Sequence, residues 1–327
     1  MKILVGVTSY AAAWVMPRVW VERLRRDFPH HDFVDAWDDA GIRRLVPEAE
    51  VAFIPYLSRD MLASATRLRW IQVPAVGVGH MLSPEMIASP IVLTTARGLR
   101  ARAIAEHVIG VALALARQLH VAVRRQIERR WAQDELEGAT TAIRSLAGAT
   151  MGIVGFGSIG QEVARMAAAI DMRVIATKRR VDPAPAGVAR VLPPDRLDEL
   201  LAESDVVVLC VPVTPDTRAL INRDTLARMK RSAFLVNIGR GRLVDDEALV
   251  EALQRGTIAG AALDVFTREP LAASSPYWDL PNVIVTPHTS GAMEDYWTPL
   301  VGLFAENLRR FESGQPLLNL VDKTAGY

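Results

Sequence analysis

The sequence predicts an α/β protein built from two doubly wound parallel sheets. Short apolar segments alternate with amphipathic helical patterns twice along the chain, and apolar runs between helices are typical of parallel strands covered on both faces. The chain has 327 residues, 50% of them hydrophobic. This length exceeds the usual size of one domain, so we expect two.

The first alternation runs from residue 1 to about residue 96, with helices such as Val19–Phe28 between its strands. The predicted strands are Ile3–Val7, Phe33–Ala36, Val51–Pro55, Trp70–Val73 and Ile91–Thr94. We interpret the apolar N-terminus as the first of these strands rather than a signal peptide, because polar residues interrupt it early.

Residues 101–131 separate the two alternations and predict one long helix. The segment is apolar on most of its circumference up to Val123, and such a helix must be buried on more than one side. We expect it to join the domains and to pack against a second subunit. Its arginine pairs, 124–125 and 129–130, are expected at a solvated helix end rather than in a nucleic-acid patch.

The second alternation starts near residue 149 and is more regular. Its predicted strands are Met151–Val154, Arg173–Thr177, Val206–Val211, Ala233–Asn237, Gly260–Val265 and Val283–Thr286. Its predicted helices are Ile159–Ala168, Leu197–Ala202, Arg223–Met229 and Glu247–Gln254.

The charge balance gives no reason to expect binding to nucleic acid or a membrane. The chain has 38 basic and 37 acidic residues, a formal net charge of +1, and therefore no strong global field. No apolar run approaches the roughly 20 residues that span a bilayer. The single cysteine, Cys210, lies in an apolar run and is expected to be a buried, inert thiol. We expect a soluble, cytoplasmic protein with no metal.

A glycine loop follows the first strand of the second alternation. Gly155, Gly157 and Gly160 form a GxGxxG pattern between a strand and an amphipathic helix. This is the context in which such glycines bind a dinucleotide: they allow a tight turn, a close approach to the pyrophosphate, and close helix packing. Ser158 and Ile159 complete the loop, where the helix N-terminus favours anions.

The basic tripeptide Lys178, Arg179 and Arg180 follows the next strand, where an acidic residue often holds the ribose hydroxyls of NAD. Cationic side chains suit a 2′-phosphate instead. We therefore expect NADP(H) to be preferred, with NAD(H) as the alternative cofactor. The other interpretation is that these charges form only the solvated end of a strand.

Three stretches in the last third of the chain carry reactive groups, two of them at strand ends, where open α/β sheets bind ligands. They contain Arg240 between two glycines, Glu269 before a proline, and His288 after a proline. An arginine can hold an anionic substrate, a histidine can exchange a proton, and a carboxylate can orient that histidine.

With these motifs in order, the chain resembles the D-isomer-specific 2-hydroxyacid dehydrogenase family, which includes glyoxylate/hydroxypyruvate reductases and phosphoglycerate dehydrogenase. The stretches "GIVGFGSIG", "VNIGRGRLVDDEAL", "AALDVFTREPL" and "VTPHTSG" carry the likeness. It implies a Rossmann cofactor domain (99–291) inserted into a discontinuous, flavodoxin-like substrate domain (1–98 and 292–327). It also implies a homodimer joined through the cofactor domain and the long helix.

The resemblance implies a role for each site residue. Arg240 would bind the carboxylate and carbonyl of a small 2-ketoacid, His288 would be the acid/base, and Glu269 would hold His288 and favour its protonated form. Backbone amides near Val76 and Gly77 would clasp the substrate carboxylate. The expected cofactor-binding set is completed by Val211, Pro212, Thr217, Ile238, Gly239, Asp264, which would help seat the nicotinamide amide, and Gly291.

Two departures from the family pattern leave substrate identity open: Gly79 stands where an aspartate is usual, and Thr95 where an asparagine is usual. His80 is expected to be a partly exposed loop residue, and His107 to belong to a structural "AEH" element. A corepressor-like nucleotide sensor without turnover stays open, although Arg240, Glu269 and His288 disfavour it. A phosphoglycerate dehydrogenase-like enzyme also stays open, disfavoured because we expect no regulatory domain after residue 327.

Overall fold

The computed structural model describes residues 1–8, 15–138, 143–181 and 183–326. They form two compact units, one comprising Met1–Leu99 with Glu294–Tyr327 and the other comprising Arg100–Met293. Each unit is built on its own parallel sheet. Which unit binds cofactor and which binds substrate stays a prediction at this point.

The first unit contains a five-stranded parallel sheet of order β2-β1-β3-β4-β5, the order of a flavodoxin-like sheet. Its strands are β1 (Lys2–Val5), β2 (Asp32–Asp35), β3 (Val51–Phe53), β4 (Trp70–Gln72) and β5 (Val92–Thr94). Its helices are α1 (Arg18–Asp27), α2 (Asp39–Leu45), α3 (Arg59–Ser64), α4 (Pro84–Ala88) and the C-terminal α12 (Trp297–Glu312), with a 3₁₀ turn at Val46–Glu48.

The C-terminal return is part of the core of this unit. Phe304 of α12 stacks on Trp70 of β4 with ring centroids 5.3 Å apart. The buried Asn307 donates a hydrogen bond to Gln72 Oε1 at 3.3 Å and accepts one from the Leu318 backbone N–H at 2.7 Å. Because these buried polar groups satisfy one another, the end of the chain is fixed against the sheet.

The second unit contains a seven-stranded parallel sheet of order β12-β11-β10-β9-β6-β7-β8. Its strands are β6 (Thr150–Val154), β7 (Arg173–Thr177), β8 (Arg190–Leu192), β9 (Val206–Leu209), β10 (Phe234–Asn237), β11 (Gly260–Leu263) and β12 (Val283–Val285). Its helices are α5 (Ala101–Ala116), α6 (Leu119–Ile127), α7 (Gln133–Gly138), α8 (Ser158–Ala169), α9 (Leu197–Glu203), α10 (Arg223–Arg228) and α11 (Asp246–Gln254), with 3₁₀ turns at Pro194–Arg196, Gly241–Leu243 and Pro276–Trp278.

The strand order of the second unit reverses between β6 and β9, which are paired neighbours at the middle of the sheet. From β6 the chain adds strands toward one edge, and from β9 it adds strands toward the other. This is the Rossmann order 3-2-1-4-5-6 with one further strand, and its switch point is where such sheets bind dinucleotides. The predicted fold class, α/β with two doubly wound parallel sheets, is confirmed.

The prediction of one long helix over residues 101–131 is wrong. The segment forms α5 and α6, which meet at an angle of 71°, because Gln118 adopts a left-handed backbone conformation with φ of 56°. After this bend the Arg124 guanidinium donates to the Leu280 and Val283 carbonyl oxygens of the same unit. Among the described residues no single helix is long and apolar enough to cross a membrane; only this bent pair, taken together, has that length and composition.

The strand β8 was not predicted. It has three residues at the sheet edge, and only Leu192 is buried. Its first residue, Arg190, forms ion pairs with Glu199 and Glu203. A short edge strand that begins with a charged residue lacks the apolar run by which the other strands were recognised.

Candidate active site

The glycines of the loop after β6 have two different causes: close contacts within the protein and the approach of a ligand. A Cβ on Gly155, which has φ of +101°, would lie 2.6 Å from Val211 Cγ1, and a Cβ on Gly160 would lie 2.4 Å from the Gly155 carbonyl oxygen. These two glycines are therefore required by the fold. A Cβ on Gly157, by contrast, would have no described heavy atom within 4 Å apart from those of the adjacent residues in the chain. A phosphate approaching the N-terminus of α8 gives a reason for glycine there, so the loop fits a dinucleotide.

The basic tripeptide lies next to this loop. The backbone N–H of Gly155 donates to Thr177 Oγ1 at 3.2 Å, and the N–H of Phe156 donates to the Thr177 carbonyl at 2.9 Å. Lys178 follows directly and is half-buried, while Arg179 and Arg180 are exposed. The end of β7 that carries these cationic residues is thus hydrogen-bonded to the glycine loop.

Two further strand ends carry predicted cofactor residues. Val211 and Pro212 follow β9, and the Thr217 hydroxyl donates to the Pro212 carbonyl at 2.7 Å, which closes that loop on itself. Ile238 and Gly239 follow β10 directly. Burial raises the pKa of the Cys210 thiol to about 12, so this cysteine is no nucleophile at neutral pH.

Arg240 is presented by a loop that a buried amide braces. Asn237, the last residue of β10, is only 1% exposed. Its Nδ2 donates to the Arg240 carbonyl at 3.0 Å, and its Oδ1 accepts from the Gly239 N–H at 3.1 Å. The exposed Arg240 side chain donates from Nη1 to the Gly239 carbonyl at 2.7 Å. The guanidinium is thereby held at the carboxyl end of β10.

The Arg240 loop is in contact with the loop that carries Glu269. A Cβ on Gly241 would lie 1.9 Å from the carbonyl carbon of Phe266, so only glycine permits this approach of the two backbones. The Phe266 N–H then donates to Glu269 Oε1 at 2.9 Å. One oxygen of the carboxylate is therefore fixed by the backbone, and the second is directed elsewhere.

That second oxygen binds His288. Glu269 Oε2 lies 2.6 Å from His288 Nδ1, with the side chains 35% and 52% exposed. His288 has φ of +55°, an uncommon backbone conformation for a residue other than glycine, which costs on the order of 1–3 kcal/mol. Because Nδ1 faces the carboxylate, Nε2 is the ring atom left to exchange a proton with a substrate.

The His288 loop closes around Asp264, which is 1% exposed. The Thr286 hydroxyl donates to Asp264 Oδ1 at 2.6 Å, and the N–H groups of Thr289 and Ser290 donate to its two oxygens at 2.9 and 3.0 Å. Burial alone would raise the pKa of Asp264, but the hydrogen bonds from Ser290, Thr286 and Thr289 outweigh burial and lower it. Asp264 is therefore a buried, charged anchor for residues 286–290.

The predicted substrate-binding residues Val76 and Gly77 belong to the first unit. They lie in the loop after β4, where the Tyr296 hydroxyl donates to the Pro74 carbonyl and the Ala96 N–H donates to the Ala75 carbonyl at 3.0 Å. Val76 is 41% exposed. The loop is thus held at its start, with its next residues open to solvent.

The two departures and His80 also lie in the first unit. A Cβ on Gly79 would meet no described heavy atom within 4 Å, and Thr95 is buried, with its N–H donating to the Asn319 carbonyl at 3.1 Å. The exposed His80 ring bonds to the Pro55 carbonyl at 3.0 Å through Nε2.

Comparison with known proteins identifies the family. The family model for the "D-isomer specific 2-hydroxyacid dehydrogenase, NAD binding domain" matches residues 109–290, more than half of the chain. The chain belongs to the D-isomer-specific 2-hydroxyacid dehydrogenase family. It is therefore an NAD(P)-dependent oxidoreductase of that family, and the resemblance seen in the sequence is confirmed.

Three members of the 2-hydroxyacid dehydrogenase family illustrate the likeness. A glycerate dehydrogenase of Methylorubrum extorquens is 34% identical over 301 residues, 89% of this chain and 92% of that protein. An NADPH-dependent glyoxylate/hydroxypyruvate reductase of Sinorhizobium meliloti, solved with NADP and sulfate, is 30% identical with a TM-score of 0.81 over 100% of both chains. A dehydrogenase of the family from Xanthobacter autotrophicus, solved with NADPH and MES, is 30% identical with a TM-score of 0.84 over 99% of both chains.

Some residues that build this candidate site were not singled out in the sequence. Asn237 and Phe266 act through short-range contacts with Arg240 and Glu269, and Thr286 acts through Asp264. The signal available for them was proximity, since each lies within three residues of a predicted site residue. Gly291 was predicted to contact cofactor, and a Cβ there would lie 3.2 Å from Arg100 Cδ.

Gly157→Ala separates ligand binding from folding at the glycine loop. We expect the free energy of unfolding to change by less than about 1 kcal/mol, because the added methyl meets open space. The dissociation constant for NADPH, measured by fluorescence titration, should rise about tenfold or more, because one lost charge-assisted hydrogen bond to a phosphate costs about 1.5–3 kcal/mol.

Gly160→Ala is the matched comparison, since its Cβ would clash with the Gly155 carbonyl. It should lower the melting temperature as well as the affinity. A Gly157→Ala variant with unchanged NADPH affinity would show that no phosphate binds this loop.

Proposed function

We propose that this dehydrogenase is an NADPH-preferring reductase that interconverts a small 2-ketoacid, of the glyoxylate or hydroxypyruvate type, and its D-2-hydroxyacid. One observation carries the proposal: His288 Nδ1 lies 2.6 Å from Glu269 Oε2, and the loop that carries Glu269 touches the loop that carries Arg240. Reduction of an anionic carbonyl compound requires a proton donor, which a carboxylate can orient, and a cationic group such as an arginine to bind the anion.

The proposed reaction assigns a separate role to each of three side chains, His288, Glu269 and Arg240. A nicotinamide bound at the glycine loop would supply the hydride that the substrate C2 accepts. Arg240 pairs with the substrate carboxylate and polarises the 2-keto oxygen, and His288 Nε2 delivers a proton to that oxygen or removes it in the reverse direction. Glu269 orients the imidazole and balances its positive charge. General acid catalysis of this kind contributes about 10²–10⁴-fold to the rate.

The preference for NADPH rests on the tripeptide after β7. Lys178 replaces the usual acidic residue, and Arg179 and Arg180 are exposed beside the glycine loop, where a 2′-phosphate would be bound. The relatives from Xanthobacter and Sinorhizobium hold NADPH and NADP, which supports the same preference here. The glycines, Ser158, Ile159, Val211, Pro212, Thr217, Ile238, Gly239, Asp264 and Gly291 complete the proposed cofactor site.

The first unit is proposed to bind substrate. The amides near Val76 and Gly77 would clasp the substrate carboxylate, in a substrate domain that comprises residues 1–98 and 292–327 around a cofactor domain of residues 99–291. The name of the Sinorhizobium relative supports glyoxylate and hydroxypyruvate as the substrate class. Gly79 and Thr95, which depart from the family pattern, bear on which ketoacid is favoured.

A homodimer in the cytoplasm is the proposed form of the enzyme. On α6 the side chains of Leu119, Val123 and Ile127, spaced four residues apart on one face, are 52%, 54% and 78% exposed. A contiguous apolar stripe of this kind marks a protein interface, and a second copy of the chain would cover it. No nucleic acid or membrane partner is proposed.

His288→Ala tests the acid/base assignment. We expect reduction of glyoxylate and hydroxypyruvate by NADPH, followed by the loss of absorbance of the reduced cofactor, to fall by about 10²-fold or more. Binding of NADPH, measured separately by fluorescence, should stay nearly unchanged, and the exposed His30→Ala in the first unit should keep its full rate. A His288→Ala enzyme with most of its activity would refute the assignment.

Arg179→Ala tests the cofactor preference. The variant should raise KM for NADPH about ten- to a hundredfold and KM for NADH much less, because one charge-assisted hydrogen bond contributes about 1.5–3 kcal/mol. Arg173→Ala, at the opposite end of the same strand and paired with Glu203, is the matched control and should change neither value. Equal effects of Arg179→Ala on the KM values of both cofactors would contradict the preference for NADPH and show that the tripeptide is only the solvated end of a strand.

A further inference from the structure

His107, a histidine of the second unit, contacts the candidate site but has no role in the proposed mechanism. His107 lies on α5, is half-buried, and its Nε2 lies 3.4 Å from the Thr286 hydroxyl. Burial lowers the pKa of His107, an effect that the charge of Asp264 partly opposes. The imidazole is therefore neutral at neutral pH and has one N–H to donate.

The direction of the hydrogen bonds follows from the number of protons. The Thr286 hydroxyl has one hydrogen, and at 2.6 Å it donates that hydrogen to the charged Asp264 carboxylate, which can only accept. Toward His107 the hydroxyl must therefore act as the acceptor. This assigns the proton of the neutral imidazole to Nε2 and produces an ordered chain from His107 through Thr286 to Asp264.

This hydrogen-bonded chain ends at Asp264, the residue that holds the His288 loop. Thr286 is the first residue after β12, and the His288 N–H donates to the carbonyl oxygens of Asp264 at 2.9 Å and Thr286 at 3.0 Å. The same loop forces His288 to a φ of +55°. A conformation that isolated residues seldom adopt persists only where surrounding contacts fix it, and these contacts converge on Thr286 and Asp264.

We propose that His107 is a positioning residue for the reaction: through Thr286 and Asp264 it holds the loop in the conformation that directs the His288 ring toward Glu269. His107 does not itself transfer the proton. The inference rests on the proposed function, because it requires His288 to be the proton donor. It concerns the rate of the chemical step rather than the affinity for NADPH.

Paired variants test the proposal, with kcat, KM and the dissociation constant for NADPH measured for each. His107→Leu removes the donor at similar size, and Thr286→Val removes the hydroxyl without changing the shape. Each should lower kcat about tenfold, since small misplacements of a reacting group cost this much or more, with NADPH affinity nearly unchanged. His107→Gln, which can donate through its amide N–H, and Thr286→Ser should keep most of the rate.

The double variant distinguishes a connected chain from separate packing effects. If His107 acts through Thr286, then His107→Leu with Thr286→Val should be no slower than the slower single variant; losses that multiply would contradict the proposal. His120→Leu is the matched control, because His120 is also half-buried and its ring bonds to the Ala114 carbonyl instead. It should lose stability similarly in thermal unfolding yet keep its kcat.

Failure of this inference is distinguishable from failure of the proposed function. An inactive His288→Ala enzyme together with wild-type kcat in His107→Leu would overturn the positioning role alone. An active His288→Ala enzyme would overturn the proposed acid. If His107→Leu does not fold, Thr286→Val still decides, because a wild-type kcat in that variant contradicts the chain of contacts on which the proposal depends.

Discussion

The site depends on one buried carboxylate. Asp264 is 1% exposed, and a charge in such a place is stable only if hydrogen bonds replace its hydration. Among the described residues, the donors to its carboxylate come from residues 286–290, the segment that contains His288. Hydrogen bonds to a charged group contribute about 1.5–3 kcal/mol each, so three of them exceed the roughly 1–3 kcal/mol that the left-handed conformation of His288 costs. The anchor therefore determines where the histidine is placed.

The parallel sheet brings the remaining groups to the same edge. Arg240 follows β10, Glu269 follows β11, and the His288 loop follows β12, so neighbouring strands deliver all three at their carboxyl ends. Local contacts then set the details. Gly241 lets the first loop touch the second at Phe266, and the Phe266 N–H fixes Glu269 so that its other oxygen meets His288. The strand order reversal between β6 and β9 supplies the glycine loop for the cofactor.

Much of this arrangement could be predicted from the sequence, because strongly periodic strands and short motifs carry local information. The fold class, eleven of the twelve strands found in the described part of the chain, in approximate bounds, and the pairing of Glu269 with His288 followed from such patterns. The bend at Gln118 did not, since a left-handed residue other than glycine leaves no clear mark in the sequence. Nor did the roles of Thr286 and His107, which lie 179 residues apart and interact only after folding.

Steady-state kinetics across a panel of 2-ketoacids would test the central claim most directly. Glyoxylate, hydroxypyruvate, pyruvate and bulkier 2-ketoacids would each be offered with NADPH and with NADH, and kcat/KM compared. The account predicts turnover, with the highest kcat/KM for glyoxylate or hydroxypyruvate paired with NADPH. A protein that binds NADPH but reduces none of these acids would contradict it and favour a nucleotide sensor without turnover.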